Sequence, residues 1–263
     1  MRIRALLSAV GLNAVPAAGW FLGEWSAGTT LLVYWLETLF GAFFVTARIL
    51  LHRRLVPKQG HWAYETPRVQ GTLPSGRSTY LAAFLAPVLV FSVAHGVFLA
   101  AIGALMIGNQ LAPEATIDLR SVRIGVIGVL LVQAVDFLFD LIWLRSRSFR
   151  WIERLGQQSF GRVAVIHLTI VGGMCAVMFT GTHRDFFGVF IFLKAMLNAS
   201  HVLPQYNPET PPAWLSYLMD QIPSHGPDDG TTFAEFWKKT DEGEATRITR
   251  NEAYFARTSK RQK

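Results

Sequence analysis

Long apolar runs constrain this chain more than any other feature. Stretches of about 20 predominantly apolar residues, the length that a helix needs to cross a hydrocarbon core, recur through the first two hundred positions. The last sixty positions contain no such stretch. Because backbone polar groups within lipid must be satisfied inside the segment itself, each run is expected to be helical. The pattern predicts an all-α, polytopic transmembrane bundle of about six spans with a hydrophilic C-terminal tail.

Glycine, proline and charged residues delimit the predicted spans. These cover residues 3–23, 29–51, 80–107, 122–144, 163–181 and 185–201. Residues 1–203 are therefore predicted to form a transmembrane domain, and residues 204–263 a cytoplasmic tail. Two sequences in the tail, Thr232 to Glu235 and Thr249 to Glu252, have the spacing of a capping box. Each predicts the start of a short helix.

The first span also has features of a secretory signal peptide. Arg2 and Arg4 precede an apolar stretch, and the sequence at 15–18, Val-Pro-Ala-Ala, resembles a small-residue cleavage site. The apolar run nevertheless continues beyond this point to Leu22. Cleavage and retention both remain open, and the orientation of the mature chain is the same in either case.

The distribution of basic residues predicts the orientation of the bundle. The chain has 25 Lys and Arg against 18 Asp and Glu, a net charge of +7. Basic residues cluster before the first span and in alternate loops, thirteen in all: Arg2, Arg4, Arg48, Arg53, Arg54, Lys58, Arg68, Arg77, Arg145, Arg147, Arg150, Arg154 and Arg162. The opposite connections hold three, Arg120, Arg123 and Arg184. This positive-inside bias places both termini in the cytoplasm of a multi-pass bacterial inner-membrane protein. The basic charge then serves topology and the lipid bilayer, not nucleic acid.

A small set of polar residues lies inside the apolar helices. A charged group at the bilayer centre costs at least about 2.5 kcal/mol, so such residues are candidates for function. Besides Gln133, the set is Glu37, His95, Asp136, Asp140, His167, Lys194 and Asn198. At a rise of about 1.5 Å per residue, these candidates fall into two groups by depth. The upper group is Glu37, His95 and Lys194, and the lower group is Asp136, Asp140, His167 and Asn198.

Each group suggests a functional hypothesis with a structural rival. Glu37 and Lys194 are expected to pair, which by itself would only fix helix register. Asp136 and Asp140 lie four residues apart on one helical face, where they are expected to titrate with His167 as a coupled unit. The structural alternative is that Asp140 reaches headgroup water. His95 can likewise be a core histidine that donates to a neighbouring carbonyl.

Several motifs resemble a known family. They are Tyr-Trp-Leu-Glu ending at Glu37, His-Gly-Val-Phe beginning at His95, the segment 162–170 containing His167, and the segment 192–198 containing Lys194. Over residues 5–203 the chain resembles an uncharacterised bacterial membrane family, domain of unknown function 6498. The resemblance implies that these four residues are motif positions, and it carries no activity. Pro87 stands where the family pattern suggests a second histidine, which argues against a two-histidine site on the third span.

Three function classes remain open. The first is a bundle-interior site for a proton, an ion or a small solute, because intramembrane carboxylates and histidines build proton relays. The second is a non-catalytic scaffold that recruits a protein partner through its tail.

The third class is a membrane-embedded enzyme. Histidine and carboxylate side chains of the kind present here can hold a catalytic metal ion. No His-Glu-x-x-His motif is present, and haem between His95 and His167 conflicts with their different depths. Cys175, the single cysteine, excludes an internal disulfide. No cofactor or metal is therefore predicted, and the sequence leans away from an enzyme.

Overall fold

Three long apolar helices dominate the computed structural model of the chain. The structure describes residues 11, 14–15, 17–23, 25–67, 78–108, 116–161, 192–193, 196, 208, 210–221 and 232–255. Helix α1 covers Ala27–Leu55, α2 covers Tyr80–Gly108 and α3 covers Leu119–Trp143. Segments of these three, Gly28–Leu55, Tyr80–Ala101 and Leu119–Ser146, are long and apolar enough to cross a membrane. Within the described ranges the chain is helical, with isolated bridges in place of strands.

The predicted spans are represented unequally in the structure. Those at 29–51, 80–107 and 122–144 correspond to α1, α2 and α3. Of the span at 3–23, the described residues 11, 14–15 and 17–21 are helical. The predicted spans at 163–181 and 185–201 lie outside the described residues, apart from residues 192–193 and 196, which are helical.

Polar caps fix where α1 and α3 begin. The Ser26 hydroxyl accepts a hydrogen bond from the Thr29 backbone N–H (3.1 Å), satisfying one free donor of the first turn of α1. Asp118 caps α3 by accepting from the backbone N–H groups of Arg120 and Ser121, both at 3.1 Å. The two caps are joined, because the Asp118 N–H donates to the Thr29 hydroxyl (3.0 Å). The starts of α1 and α3 therefore lie at one level.

Helices α1 and α3 pack in parallel. Near their starts, Val33 packs with Val122 and Val129 in a buried apolar cluster. Gly125 permits this approach, since a Cβ at that position would meet Val33 at 3.0 Å. Further along, the Phe44 and Phe137 rings lie 5.4 Å apart. Contacting residue numbers rise together on both helices, so the two run in the same direction. A seam of contacts extends along their whole length.

A turn and a further helix follow α3. Residues Leu144–Ser146 form a 3-10 turn, and residues 149–161 are helical (α4). Phe149 and Ile152, on one face of α4, are fully buried. Phe160 contacts Phe84 of α2 with ring centroids 6.1 Å apart. Apolar packing thus holds α4 against the bundle at the C-terminal end of α3.

The tail folds together with a loop from earlier in the chain. Pro57–Tyr80 and Pro204–Lys263 form one compact unit, separate from the unit of Met1–Val56 and Leu81–Leu203. The tail contributes helices α5 (Ala213–Asp220) and α6 (Phe233–Glu252). Its partner loop includes a 3-10 turn at Gln59–His61. The predicted division at residue 203 thus describes the chain order, while the folded unit also includes the loop.

Side chains of α6 hold this loop by its backbone. Arg247 and Asn251 both donate to the carbonyl of Glu65, at 2.8 and 3.0 Å. The Asn251 side-chain oxygen accepts from the Glu65 N–H at 3.1 Å. Beyond the helix, Phe255 stacks on Trp62 with centroids 4.5 Å apart. These contacts join the two parts of the unit.

One of the two predicted capping boxes is confirmed. Thr232 and Glu235 form both reciprocal hydrogen bonds at the start of α6. The prediction that Thr249 and Glu252 open another helix is wrong, because both belong to the last turn of α6. The Thr249 hydroxyl donates to the Ala245 carbonyl (2.9 Å) one turn earlier in the same helix. That internal bond replaces the cap.

Candidate functional site

A buried arginine joins α1 to the two aspartates of α3. The Arg48 Nε donates to Oδ2 of Asp140 at 2.9 Å, and its Nη2 lies 2.9 Å from the same oxygen. The same Nη2 donates to Oδ2 of Asp136 at 3.2 Å. The guanidinium carbon also lies 5.2 Å from the centre of the Phe137 ring, within the range of a cation–π contact. One cation thus bridges two carboxylates that are one helical turn apart.

This cluster corrects the sequence-based assignment of Arg48. The sequence analysis counted Arg48 with the basic loop between the second and third spans. The structure places it inside α1, seven residues before the helix ends at Leu55, where its side chain is only 6% exposed. Its position follows from helical spacing, since Glu37, Gly41, Arg48 and His52 recur at intervals of four or seven residues. The buried face of α1 therefore includes charged residues near its C-terminal end.

The two aspartates differ in how far the protein buries them. The structural alternative drawn from the sequence was that Asp140 reaches headgroup water. In the structure the Asp140 side chain is 2% exposed, whereas that of Asp136 is 30% exposed. Asp140 faces α1 directly and Asp136 lies at the margin of the contact. Hence Asp140 is the enclosed partner of Arg48, and Asp136 is the accessible one.

A second polar contact lies nearer the start of the seam. The Gln133 side-chain amide donates to the backbone carbonyl of Glu37 at 3.1 Å, and both residues are buried. A carbonyl only accepts, so this bond fixes which end of the amide faces α1. The Gln133 side-chain oxygen, also buried, has no hydrogen-bond partner in the described part of the chain. A buried amide oxygen of this kind suits a water molecule, a proton donor or a small cation.

His95 lies on α2, which contacts α1 through Trp35. The Trp35 indole N–H donates to the Ser92 carbonyl at 2.9 Å, and a Cβ at Gly96 would meet the indole at 3.0 Å. His95 itself is buried, and its Nδ1 donates to the Phe91 carbonyl at 2.6 Å. That bond is the one expected of a core histidine. Its neighbours place His95 close to the level of Glu37.

The sequence analysis singled out three further candidates, on the predicted fifth and sixth spans. His167, Lys194 and Asn198 lie outside the described residues. The predicted Glu37–Lys194 pair and the coupling of His167 to the aspartates therefore stay predictions. Among the residues that the structure does describe, no group of three His, Cys, Asp or Glu is arranged to hold a metal ion.

Sequence reasoning missed the central residue of this cluster. Arg48 is the group that Asp136 and Asp140 contact, and it lay within the predicted span at 29–51. Its separation from the charged run at Arg53 and Arg54 was a usable signal, because a lone arginine in an apolar run needs an internal partner. Asp136 and Asp140, on one face of another apolar run, were the available anions.

A family model matches most of the chain. It describes a Family of unknown function (DUF6498), and it matches residues 1–213. The resemblance inferred from the sequence motifs is thereby confirmed, and the match extends to the first residue of α5. No curated protein and no solved structure gives a match.

Proposed function

The chain belongs to the Family of unknown function (DUF6498), and we propose that it is a multi-pass bacterial inner-membrane protein whose α1–α3 seam binds and releases a proton or small ion. The carrying observation is the pair of carboxylates, Asp136 and Asp140, on the one guanidinium of Arg48. All three groups belong to helices long and apolar enough to span a membrane.

Energetics favour a functional role for this cluster. Replacing a buried ionic triad by well-packed apolar residues is often neutral or stabilising by about 1–4 kcal/mol. A charged cluster between apolar helices therefore stabilises their contact no better than apolar packing would. Ionisable residues at such positions typically belong to ion pathways or proton relays. The seam fits this class better than a purely structural one.

The chemistry of the three groups assigns them different roles. Arginine stays protonated in proteins, so Arg48 acts as a fixed positive charge and any exchanged proton resides on a carboxylate. Asp140 is enclosed and bonded twice to Arg48, and it anchors the guanidinium. Asp136 combines a longer 3.2 Å contact with 30% exposure. We assign the exchange to Asp136, whose protonation would weaken its bond to Arg48 while Asp140 keeps the arginine in place.

Flux across reconstituted vesicles tests this function. Wild-type protein should move protons or a monovalent cation down an imposed gradient, and Asp136→Asn should abolish that movement. Asp241→Asn, at an exposed position of α6, is the matched control and should leave flux unchanged. The proposal would be ruled out if the wild-type protein showed no flux. It would also be ruled out if Asp136→Asn moved protons or cations as fast as the wild-type protein does.

The proposed orientation has a separate test. Reporter fusions after Arg54, Pro113, Arg150 and Lys263 should read cytoplasm, periplasm, cytoplasm and cytoplasm. The parallel course of α1 and α3 supports equal sidedness at Arg54 and Arg150, since Arg54 lies in the last turn of α1 and Arg150 follows the end of α3. A periplasmic signal at Arg150 or Lys263 would overturn the topology.

A second candidate is a membrane scaffold that recruits a protein partner through its tail. It is favoured by the folded unit of α6 and the 57–67 loop, whose helix lies beyond the residues matched by the family. A chain ending at Gln221 separates the candidates. If the seam carries the function, this truncated protein keeps its flux and complements a deletion strain, whereas a scaffold would lose complementation.

A further inference from the structure

Basic side chains gather where α1 and α3 end. His52, in the last turn of α1, donates from Nε2 to the Arg147 carbonyl at 3.0 Å, so the segment after α3 is held against α1. We call the surrounding basic residues the arginine corner, which comprises Arg53, Arg54, Arg145, Arg150 and Arg154. All but Arg53, which is half-buried, are exposed.

The packing of α4 directs its arginines outward. Phe149, Ile152 and Glu153 face the protein and are buried. Arg150 and Arg154, one turn apart, lie on the opposite, exposed face. The carboxylate of this helix is thus on its buried face. The solvent-facing side of α4 is cationic because of how its apolar residues pack.

Aromatic rings accompany these charges. Trp143, the last residue of α3, is 57% exposed. The Arg147 guanidinium lies 5.0 Å from the centre of the Trp151 ring. Tryptophan is enriched where membrane helices reach the headgroup level, since its ring is apolar and its N–H is polar. The corner therefore combines arginine and tryptophan, two residue types that suit the interface between lipid and water.

We propose that the arginine corner binds the phosphate groups of anionic phospholipids. The arginine fork matches phosphate oxygens in pairs, and it is less strongly hydrated than a lysine ammonium. The corner adjoins the ends of two helices that are long and apolar enough to span a membrane, and in a bilayer those ends would lie at the level of the lipid headgroups. This site is independent of the seam, because Arg48 is buried along α1 and none of the corner residues contributes to its pairing with the aspartates.

The opposite end of α3 supplies a matched control. Arg120 and Arg123 are exposed on the first turns of the same helix. The triple glutamine variant removes three charges from the corner: Arg145→Gln, Arg150→Gln and Arg154→Gln. The control variant removes two charges from the other end of α3: Arg120→Gln and Arg123→Gln. Replacing the same three corner residues by lysine keeps the charge and loses the fork.

The test measures lipid retained by full-length protein purified in a neutral detergent. Native mass spectrometry would compare phosphatidylglycerol with phosphatidylcholine at equal concentration. One basic residue near an anionic surface typically contributes about a fivefold preference, so wild type should favour phosphatidylglycerol and the triple glutamine variant should lose roughly 100-fold of that preference. The lysine variant should keep most of it, and the Arg120/Arg123 variant all of it.

Two results would overturn the proposal. One is a wild-type preference that survives in the triple glutamine variant. The other is an equal loss in the Arg120/Arg123 control, which would show that basic charge anywhere on α3 suffices. Folding of each variant is checked by circular dichroism. If the triple glutamine variant unfolds, Arg150→Gln and Arg154→Gln made singly should each lower the preference about fivefold, and an unchanged preference in both would overturn the proposal. Loss of lipid preference with intact proton flux would separate this site from the seam.

Discussion

Replacing Arg48 by methionine should destabilise the protein more than any exposed arginine substitution. The change keeps a long, flexible side chain but leaves the Asp140 carboxylate buried without its guanidinium. Removing one partner of a buried ion pair costs about 3–5 kcal/mol, because the remaining charge cannot regain its hydration. The structure thus predicts a loss dominated by Asp140.

The stability lost in Arg48→Met can be estimated from the exposed fractions of the Asp136 and Asp140 side chains. The contact with Asp136, whose side chain is 30% exposed, is closer to a surface ion pair and contributes about 1 kcal/mol or less. Polar contacts between membrane helices average only about 0.6 kcal/mol when both groups can find other partners. We therefore expect a loss near the lower limit for buried pairs, about 3 kcal/mol, or roughly 100-fold in the unfolding equilibrium constant.

The assay is equilibrium unfolding in mixed micelles with increasing sodium dodecyl sulfate, followed by tryptophan fluorescence. Arg54→Met, at an exposed position of the same helix, is the control and should change stability little. Adding Asp140→Asn to Arg48→Met should recover most of the loss, because the carboxylate that remains, Asp136, is 30% exposed and no fully buried charge is left without a partner. A loss below about 1 kcal/mol for Arg48→Met, or additive effects in the double variant, would refute the buried-pair argument.

Three further predictions concern other parts of the chain. Glu37→Gln should reduce stability or flux more than Glu37→Gln/Lys194→Met does, if the two residues pair; additive effects would mean that they do not meet. Hydrogen bonds from the Ser121 hydroxyl first, and then from the Arg120 and Ser121 backbone N–H groups, lower the pKa of Asp118. Its contribution to stability is therefore present above the unfolded pKa of about 3.9 and is lost as the pH falls through the lower folded value. Asp118→Asn should keep the cap and reduce the acid sensitivity of thermal unfolding, and an unchanged acid profile would contradict this. Asn251→Ala should release the tail from the loop at Glu65 and speed proteolysis after α5, whereas Thr246→Ala, on the exposed side of α6, should not; equal cleavage of the two would contradict the clamp.

Hydropathy located the described spans well and misjudged their ends. The prediction stopped the second span at residue 51, but α1 continues through the basic residues His52, Arg53 and Arg54 to Leu55. Charge ends an apolar run, yet it does not end a helix, because basic side chains in the last turn interact favourably with the helix dipole. The helical state was predictable from composition, whereas the last turn depended on capping and packing.

The candidate site shows where sequence reasoning reaches its limit. Spacing alone placed Asp136 and Asp140 on one face, which the structure retains in their shared contact with Arg48. Their order of burial depended on the angle at which α1 packs, and no local pattern encodes that angle. The sequence pattern did not predict the unit formed by the tail and the loop either. Arg247 and Asn251 bind the backbone carbonyl of Glu65, and every residue carries such a carbonyl.

The distance along the chain between Arg48 and its partners has a consequence for biosynthesis. Asp136 and Asp140 follow Arg48 in the chain by 88 and 92 residues, so they are made well after it. At about 5–20 residues per second, the ribosome needs about 5–20 s to make the partners after it has made the arginine. Throughout that interval α1 carries an unneutralised cation near one end of an apolar segment. If α1 spans a membrane as proposed, we expect this guanidinium to stay near the headgroup level until α3 supplies the two carboxylates.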